Sequence, residues 1–436
     1  MQVKPFKAFR FDSSAVGDVG GCIAPPYDVI GEPRQQQLYE KNPYNIVRIT
    51  KGKTKPSDSD TDNQYTRAAD YLNTWIEKGI LKQDLAEAIY AYIQDFELAG
   101  TWFQRSSFIA LAKLEEFGET VRPHEQTLSA PKIDRLNLQR ATAAQFGLVF
   151  MLYKDEKKIA EKICEATSDK KPLVDFVDEE NIRHRLFAIT AEDDINAITE
   201  MMLDKSCIIA DGHHRYEMAL NYSKETANLA AKYQMTAFSN ICQNGLVVLA
   251  THRLVGSLGN FDSKKFIAVL RKNFEVTEYL FPSPATKLDA KQKMLSQMKT
   301  EHTHDKNAFG IYAGNGAFYT AVLKDKHTMD SVAPDKSSAF RALDVSVLHK
   351  MVLEKLLGID EEKLAAGGNL EYVKDTEYAI DESIAAVDAG QKQIAFFMNP
   401  PTTSQIKTIT EAGERMPQKS TFFYPKVYTG LTINKL

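Results

Sequence analysis

Apolar and polar positions along the chain follow two periods, and each change of period marks a new element. A period of two runs through AEAIYAYIQDFEL and WFQRSSFIALAKLEEF, joined by Ala99, Gly100 and Thr101, which predicts an antiparallel hairpin. Before it, Tyr65, Ala68, Ala69, Leu72, Trp75 and Ile76 recur at helical spacing, and Gly79 supplies the stop. Further upstream VKPFKAFRF and GCIAPPYDVI read as two strands, Pro33 as the first turn of a helix and NIVRIT as a third strand. The polar run KGKTKPSDSDTDN is the clearest loop of the first half.

After Gln139 strand and helix alternate: strand GLVFMLY, a helix over Ile159 to Ala166, strand LFAIT, a helix near Ile195 to Leu203, then strand CIIA. From about Asp262 the style repeats with helix FIAVLRKNF, strand EVTEYL and the hairpin FGIYAGNGAFYTAVL turned at Asn315 and Gly316. Helix VSVLHKMVLEKLL, strand IAFFMN and the aromatic stretch FFYPKVYTGLTI complete the chain. The expected class is α/β in the α+β sense, with mixed sheets and flanking helices. A catalytic region 1–261 and a C-terminal α/β region 262–436 are the expected division, since 436 residues exceed what one core usually organises.

Composition narrows the function classes. With 54 Lys plus Arg against 58 Asp plus Glu there is no basic excess to attract nucleic acid, so no nucleic-acid partner is expected. No window approaches a membrane span and the N-terminus lacks a signal-peptide core, so neither a membrane partner nor export is expected, and a cytoplasmic protein is. Cys22, Cys164, Cys207 and Cys242 form no C-x-x-C pair and read as free thiols. Oligomeric state stays open.

The strongest chemical signal is the strand–turn–helix IIADGHHRYEMAL. Apolar residues stop at Asp211-Gly212, and Tyr216, Ala219 and Leu220 then fall at helical spacing, so a helix starts near His213. Its first N–H groups and positive dipole end, with His213, His214 and Arg215, make an anion cradle, and Gly212 permits close approach or a positive φ. A plain turn with Asp211 as N-cap is the bland alternative. A metal site of Asp211, one histidine and Glu217 is another, although adjacent histidines diverge by about 100° around a helix.

A second signal is VRPHEQT, where Pro123 breaks the strand and sets His124 and Glu125 in a loop. Glu125 is the candidate general base; a surface carboxylate paired with Arg122 is the alternative. Lys132, Asp134, Arg135 and Arg140 follow as charges on a loop and helix. Strand GLVVLA ends in Thr251, His252 and Arg253, a strand tip rich in donors. Tyr27 and Asp28 follow a double proline that can line a pocket or merely shape a turn. MPQKSTFFYPK offers Lys419, Ser420, Thr421 and Lys426 for phosphate or for edge-strand packing. The GKT at Gly52 is not a P-loop, because Val47 stands where a P-loop needs glycine.

APPYDVI, NPYNIVRIT, VRPHEQT, DRLNLQRAT, IADGHHRYEMAL, LATHRL and MPQKSTFFYPKVYTGL together resemble the bacterial and archaeal family known as domain of unknown function 1015, nearly end to end. Locally, IADGHHRYEMAL looks like the nucleotide-phosphate turn of the ParB and sulfiredoxin superfamily, and the P-H-E string upstream is similar to that of its free-serine kinases. The spacing between the two motifs is much longer here, as if a subdomain were inserted. The resemblance implies a ParB/sulfiredoxin-like core with added α/β subdomains. It implies Glu125 as base on the hydroxyl, with Asp211, His213, His214 and Arg215 around the phosphates and metal of an ATP or ADP site. His124 is a further catalytic candidate, Gly212 a further cofactor-binding one, and Asp211 could help hold Mg²⁺. His252 and Arg253 are further candidates for cofactor binding. The expected activity is phosphoryl transfer to a small hydroxyl-bearing metabolite, free L-serine foremost. A phosphatase or a non-catalytic nucleotide switch are the alternatives.

Overall fold

Alternation in the two long segments becomes a hairpin of Ile89–Leu98 and Thr101–Lys113, because Ala99 (φ 49°) and Gly100 (φ 76°) form the doubly left-handed turn that suits strand twist. The computed structural model describes residues 1–125 and 130–436, leaving aside the side chains of Ala130, Pro131, Glu361, Ala365 and Ala366. Gln126 and Thr127 of VRPHEQT lie outside the described residues. The chain forms two compact units: Met1–Pro123, Thr127–Val247 and Pro425–Leu436 in the first, His124–Gln126 and Val248–Tyr424 in the second. Both are mixtures of sheet and helix, as expected.

The first unit is organised by one mixed sheet. Its strands run in the order Val121–Pro123, Cys207–Asp211, Val149–Tyr153, Tyr233–Asn240, Thr101–Lys113, Ile89–Leu98, Arg183–Ile189 and Val174–Val177, with Val3–Lys4 also pairing to Thr101–Lys113. Val121–Pro123 and Cys207–Asp211 are parallel neighbours, with Pro123 opposite Ile209. One core joins Ile93, Phe108, Met151, Ile209 and Phe238 of the sheet to Cys164, Ile198 and Tyr216 on helices. A second core gathers the N-terminal segment around Trp75, Ile46, Leu138 and Phe146.

The second unit carries a six-stranded sheet, Phe274–Leu280, Ala317–Leu323, Ala308–Tyr312, Ile394–Met398, Thr251–Val255 and Leu370–Lys374, in which every neighbouring pair is antiparallel. Helix Pro284–Thr303 packs on it through Met294 and Met298. Gly310 permits that approach: a Cβ there would stand 2.6 Å from the Met298 sulfur and 2.8 Å from that of Met294.

Several expected strands are not strands. NIVRIT forms the helical turn Val47–Thr50, because the Asn45 carboxamide accepts from Val47 N–H and donates to the Gly21 carbonyl, closing a local turn in place of a ladder. GCIAPPYDVI forms short 3₁₀ turns at Gly20–Cys22 and Tyr27–Val29, since Pro25 and Pro26 have no N–H to donate and only Ala24 bridges, to Thr429. The helix expected over VSVLHKMVLEKLL is regular only at Asp344–Val347 and continues as the π-helical turn Leu348–Glu354. All four cysteines are free. No helix among the described residues is long and apolar enough to cross a membrane.

Phe108 is buried and stacks on Phe238 with ring centroids 5.0 Å apart, so Phe108→Ala is expected to cost about 3–5 kcal/mol in denaturant unfolding. Trp102 on the same strand is 69% exposed, and Trp102→Ala is expected to change stability by less than about 0.5 kcal/mol.

Candidate functional site

Strand Cys207–Asp211 leaves the sheet at Asp211, Gly212 turns it with φ 91° and helix His213–Glu225 begins at the next residue, as the spacing of apolar positions predicts. The left-handed turn explains the glycine, and so does crowding: a Cβ at Gly212 would meet the Arg215 guanidinium carbon at 3.0 Å. Arg215 folds back over the turn, pairing with Asp211 Oδ2 and donating from Nη1 to the Leu148 carbonyl. Gly212 supplies no side-chain cap, so Asp211 is an ion-pair partner here and Gly212 occupies the cap position.

Asp211 is held from two sides, because Lys426 Nζ lies 2.7 Å from Oδ1. Burial alone would raise its pKa, but Lys426 and Arg215, with His213, outweigh that and hold the carboxyl well below the usual carboxylate range. The fully buried Arg105 lies near enough to sense the Asp211 charge and donates from Nη2 to the Pro425 carbonyl at 2.5 Å, fixing the segment that presents Lys426. Arg105 is absent from the sequence candidates. Its one signal there is a cation inside the alternation of a central strand.

Both Asp211 oxygens are thus engaged by cations, and no group of three His, Cys, Asp or Glu suited to a metal occurs among the described residues. This arrangement does not fit Asp211 as a magnesium ligand, nor Glu217, whose carboxylate pairs with Lys132. His213 is buried and His214 half-buried at the start of the helix.

Arg215 also lines a crevice of about 60 Å³ with Tyr27, Arg135, Gln139 and Gly147. Arg215 Nε and Gln139 Nε2 are both buried there without a hydrogen-bond partner. The crevice shares Tyr27, Thr50, Arg135 and Leu138 with a cleft of about 720 Å³ that Lys51, Gly52 and Lys53 also line. Tyr27 and Arg135 stack, guanidinium carbon to ring centroid 4.0 Å, so the rigid Pro25-Pro26 path does place a pocket residue. Of the neighbouring charges, Asp134 pairs with Arg135 and Arg140 with Glu225.

The second motif belongs to the other unit. Glu125 Oε1 accepts from Lys419 N–H at 2.7 Å, and the Glu125 backbone bridges to Met416. His124 is buried, with Nε2 2.7 Å from Thr421 Oγ1 and its ring edge-on to Phe423. Ser420 is buried and donates to the Pro417 carbonyl. Thr251, His252 and Arg253 are not a strand tip: they open the buried strand Thr251–Val255, because the expected strand breaks at Ala250. His252 is 2% exposed, accepts from Met398 N–H at Nδ1 and lies 3.2 Å from Asp375 at Nε2. Arg253 is 1% exposed, with its guanidinium 5.4 Å from the Tyr372 ring. Burial brings Arg253 down to about 10, against Tyr372 and Glu125, which favour its charge.

The sequence profile of the family described as "Protein of unknown function (DUF1015)" matches residues 3–346. No curated protein matches the chain. Among solved structures, a free serine kinase in complex with AMP is 13% identical, with 72% of this chain and 86% of that chain covered and a TM-score of 0.34. A conserved hypothetical protein from Pyrococcus furiosus is 15% identical over 72% of this chain and 95% of its own, with a TM-score of 0.31. C-terminally truncated SbnI from Staphylococcus aureus is 9% identical over 75% and 87%, with a TM-score of 0.36.

Because the folded-state pKa of Asp211 is depressed, its stabilisation is complete above the ordinary carboxylate value and fades as pH falls below about 4. Asp211→Asn is therefore expected to cost about 3 kcal/mol at neutral pH, by stranding Lys426 and Arg215, and clearly less at pH 3. Denaturant unfolding of both proteins at the two pH values checks this; an equal loss at both would remove the ion cluster as the cause.

Proposed function

The chain belongs to the DUF1015 family, and from that premise we propose that it is a nucleotide-dependent phosphotransferase acting on a small hydroxyl-bearing metabolite, with free L-serine as the favoured acceptor and ATP or ADP as donor. One observation carries the reading. Two parallel neighbouring strands, Val121–Pro123 and Cys207–Asp211, lead into the P-H-E and D-G-H-H-R motifs, so both motifs begin at the same edge of one sheet. In open α/β sheets ligands bind beyond the carboxyl ends of parallel strands, and this parallel pair offers ends of that kind within a largely antiparallel sheet.

In this reading the donor phosphates sit at the Gly212 turn. Arg215 Nε, buried without an acceptor, and the start of helix His213–Glu225 stabilise their charge, with Lys426 beside them. The 60 Å³ crevice is too small for a nucleoside, whereas the adjoining 720 Å³ cleft falls within the range of metabolite pockets. The nucleoside would occupy that cleft near the Tyr27–Arg135 stack. Phosphoryl transfer depends mainly on positioning and charge stabilisation, which these groups supply. Glu125, its Oε1 oriented by the Lys419 N–H, takes the proton of the attacking hydroxyl. No step is assigned to magnesium, since Asp211 does not offer it an oxygen.

Two substitutions separate binding from chemistry. Arg215→Ala is expected to weaken ATP or ADP affinity by about 1.5–3 kcal/mol in calorimetry. Unchanged affinity in a folded variant would reduce Arg215 to a brace of its own turn.

Glu125→Gln is expected to lower formation of phosphorylated serine by ~10²–10⁴ with nucleotide affinity barely changed. Full turnover in that variant would remove Glu125 as base. Wild-type protein that yields no nucleotide-dependent product across a panel of hydroxy amino acids and sugars, scored by mass spectrometry, would remove the kinase. Phosphate release from a phosphorylated metabolite without nucleotide would point to a phosphatase, and tight nucleotide binding without turnover to a regulatory switch.

A further inference from the structure

Within the second unit, a cavity of about 300 Å³ lies against the π-helical turn Leu348–Glu354. Phe340, Ile359 and Leu364 give it an apolar wall. Lys336, Lys350 and Arg415 give it three cations, against two acids, Glu354 and Asp360. Both acids are engaged: Glu354 pairs with Lys350 at 2.8 Å, and Asp360 accepts the Lys363 N–H at 2.9 Å as a helix cap. The wall is therefore partly apolar and carries three cations against two acids, with Lys350 taken up by Glu354 and Lys336 3.4 Å from Asp335.

His349 lines the same cavity. It is 9% exposed, and its Nε2 is buried without a hydrogen-bond partner. Stranding such a polar atom is costly, so buried polar groups nearly always find a partner in protein, water or ligand. The backbone around it is also unusual, because π-helical turns are rare and recur at functional sites. Burial, reinforced by the charges of Arg253 and Lys350, holds the His349 pKa well below its ordinary value, so the ring is neutral and offers one N–H.

We infer that this cavity is a binding site for a small organic acid with an apolar body, its carboxylate received by His349 Nε2 on the side of Arg415, and its body packed on Phe340, Ile359 and Leu364. The volume stands at the small end of the range for ligand pockets, which suits a metabolite and not a nucleotide. Inorganic phosphate would meet the cations but would leave the apolar wall uncovered. The site does not rest on the phosphotransfer reading, since none of its residues belongs to the Gly212 turn or its crevice.

The experiment uses the full chain and three probes: 2-hydroxyisocaproate, its neutral amide and inorganic phosphate. Calorimetry measures binding, and carbon–proton NMR of the histidine rings reports on His349. The acid is expected to bind saturably and shift the His349 signals, with the amide and phosphate each weaker by about tenfold or more. His349→Phe and Arg415→Gln should each weaken the acid by about tenfold or more while nucleotide affinity is unchanged. Should His349→Phe fail to fold, Arg415→Gln and the wild-type His349 signals decide. Acid binding no tighter than that of the amide, acid binding that leaves the His349 signals unmoved, or no saturable acid binding would overturn the site.

Discussion

The Asp211 carboxylate ties a strand, the following helix and the C-terminal segment of the first unit together. It ends a strand next to the edge of the sheet, receives Arg215 from one turn along the following helix, and receives Lys426 from the C-terminal segment. Buried carboxylates are costly unless paired, and the two cations together offset that cost and keep this one charged. Arg215, once committed to Asp211, also ties down the Leu148 carbonyl at the entry to the neighbouring strand. Only glycine then fits at 212, where the guanidinium closes over the backbone. Strand, turn, helix and C-terminal segment are therefore joined by one set of ion pairs, and Arg215 lines the crevice beside it.

Buried polar atoms without partners are informative only in company. Arg48 and Arg185 each bury an Nε that finds no acceptor, and nothing in the structure gives those two atoms a ligand. Arg215 Nε with Gln139 Nε2, and separately His349 Nε2, belong to residues that line cavities with cations in the same walls. A cavity lets an orphan donor be satisfied by something that arrives, whereas a packed interior does not.

Local patterns were legible where one segment carries its own stabilisation. The Ile89–Lys113 hairpin follows from period-two alternation and a turn that tolerates two positive φ values, and the helix at His213 follows from a glycine between two apolar periods. Reading failed where a side chain far in sequence or a missing donor overrode propensity. NIVRIT is β-branched enough for a strand, but Asn45 closes a turn against Gly21, and Thr251-His252-Arg253 looks like an exposed tip until strands Leu370–Lys374 and Ile394–Met398 cover it.

What the sequence determined by itself was the membership of the family, the class of fold and the composition of the two motifs, because these rest on residue identity and short-range spacing. Tertiary structure alone decided that Lys426 meets Asp211 across 215 residues, that Pro123 lies beside Ile209, and that the last twelve residues return to the first unit. It alone put His349, with an Nε2 that has no hydrogen-bond partner, against a cavity. Contacts of that kind depend on which loops close, and loop closure costs so little extra with length that sequence distance barely constrains the choice. Packing and the pairing of buried charge make the choice instead, and neither is written in any one segment.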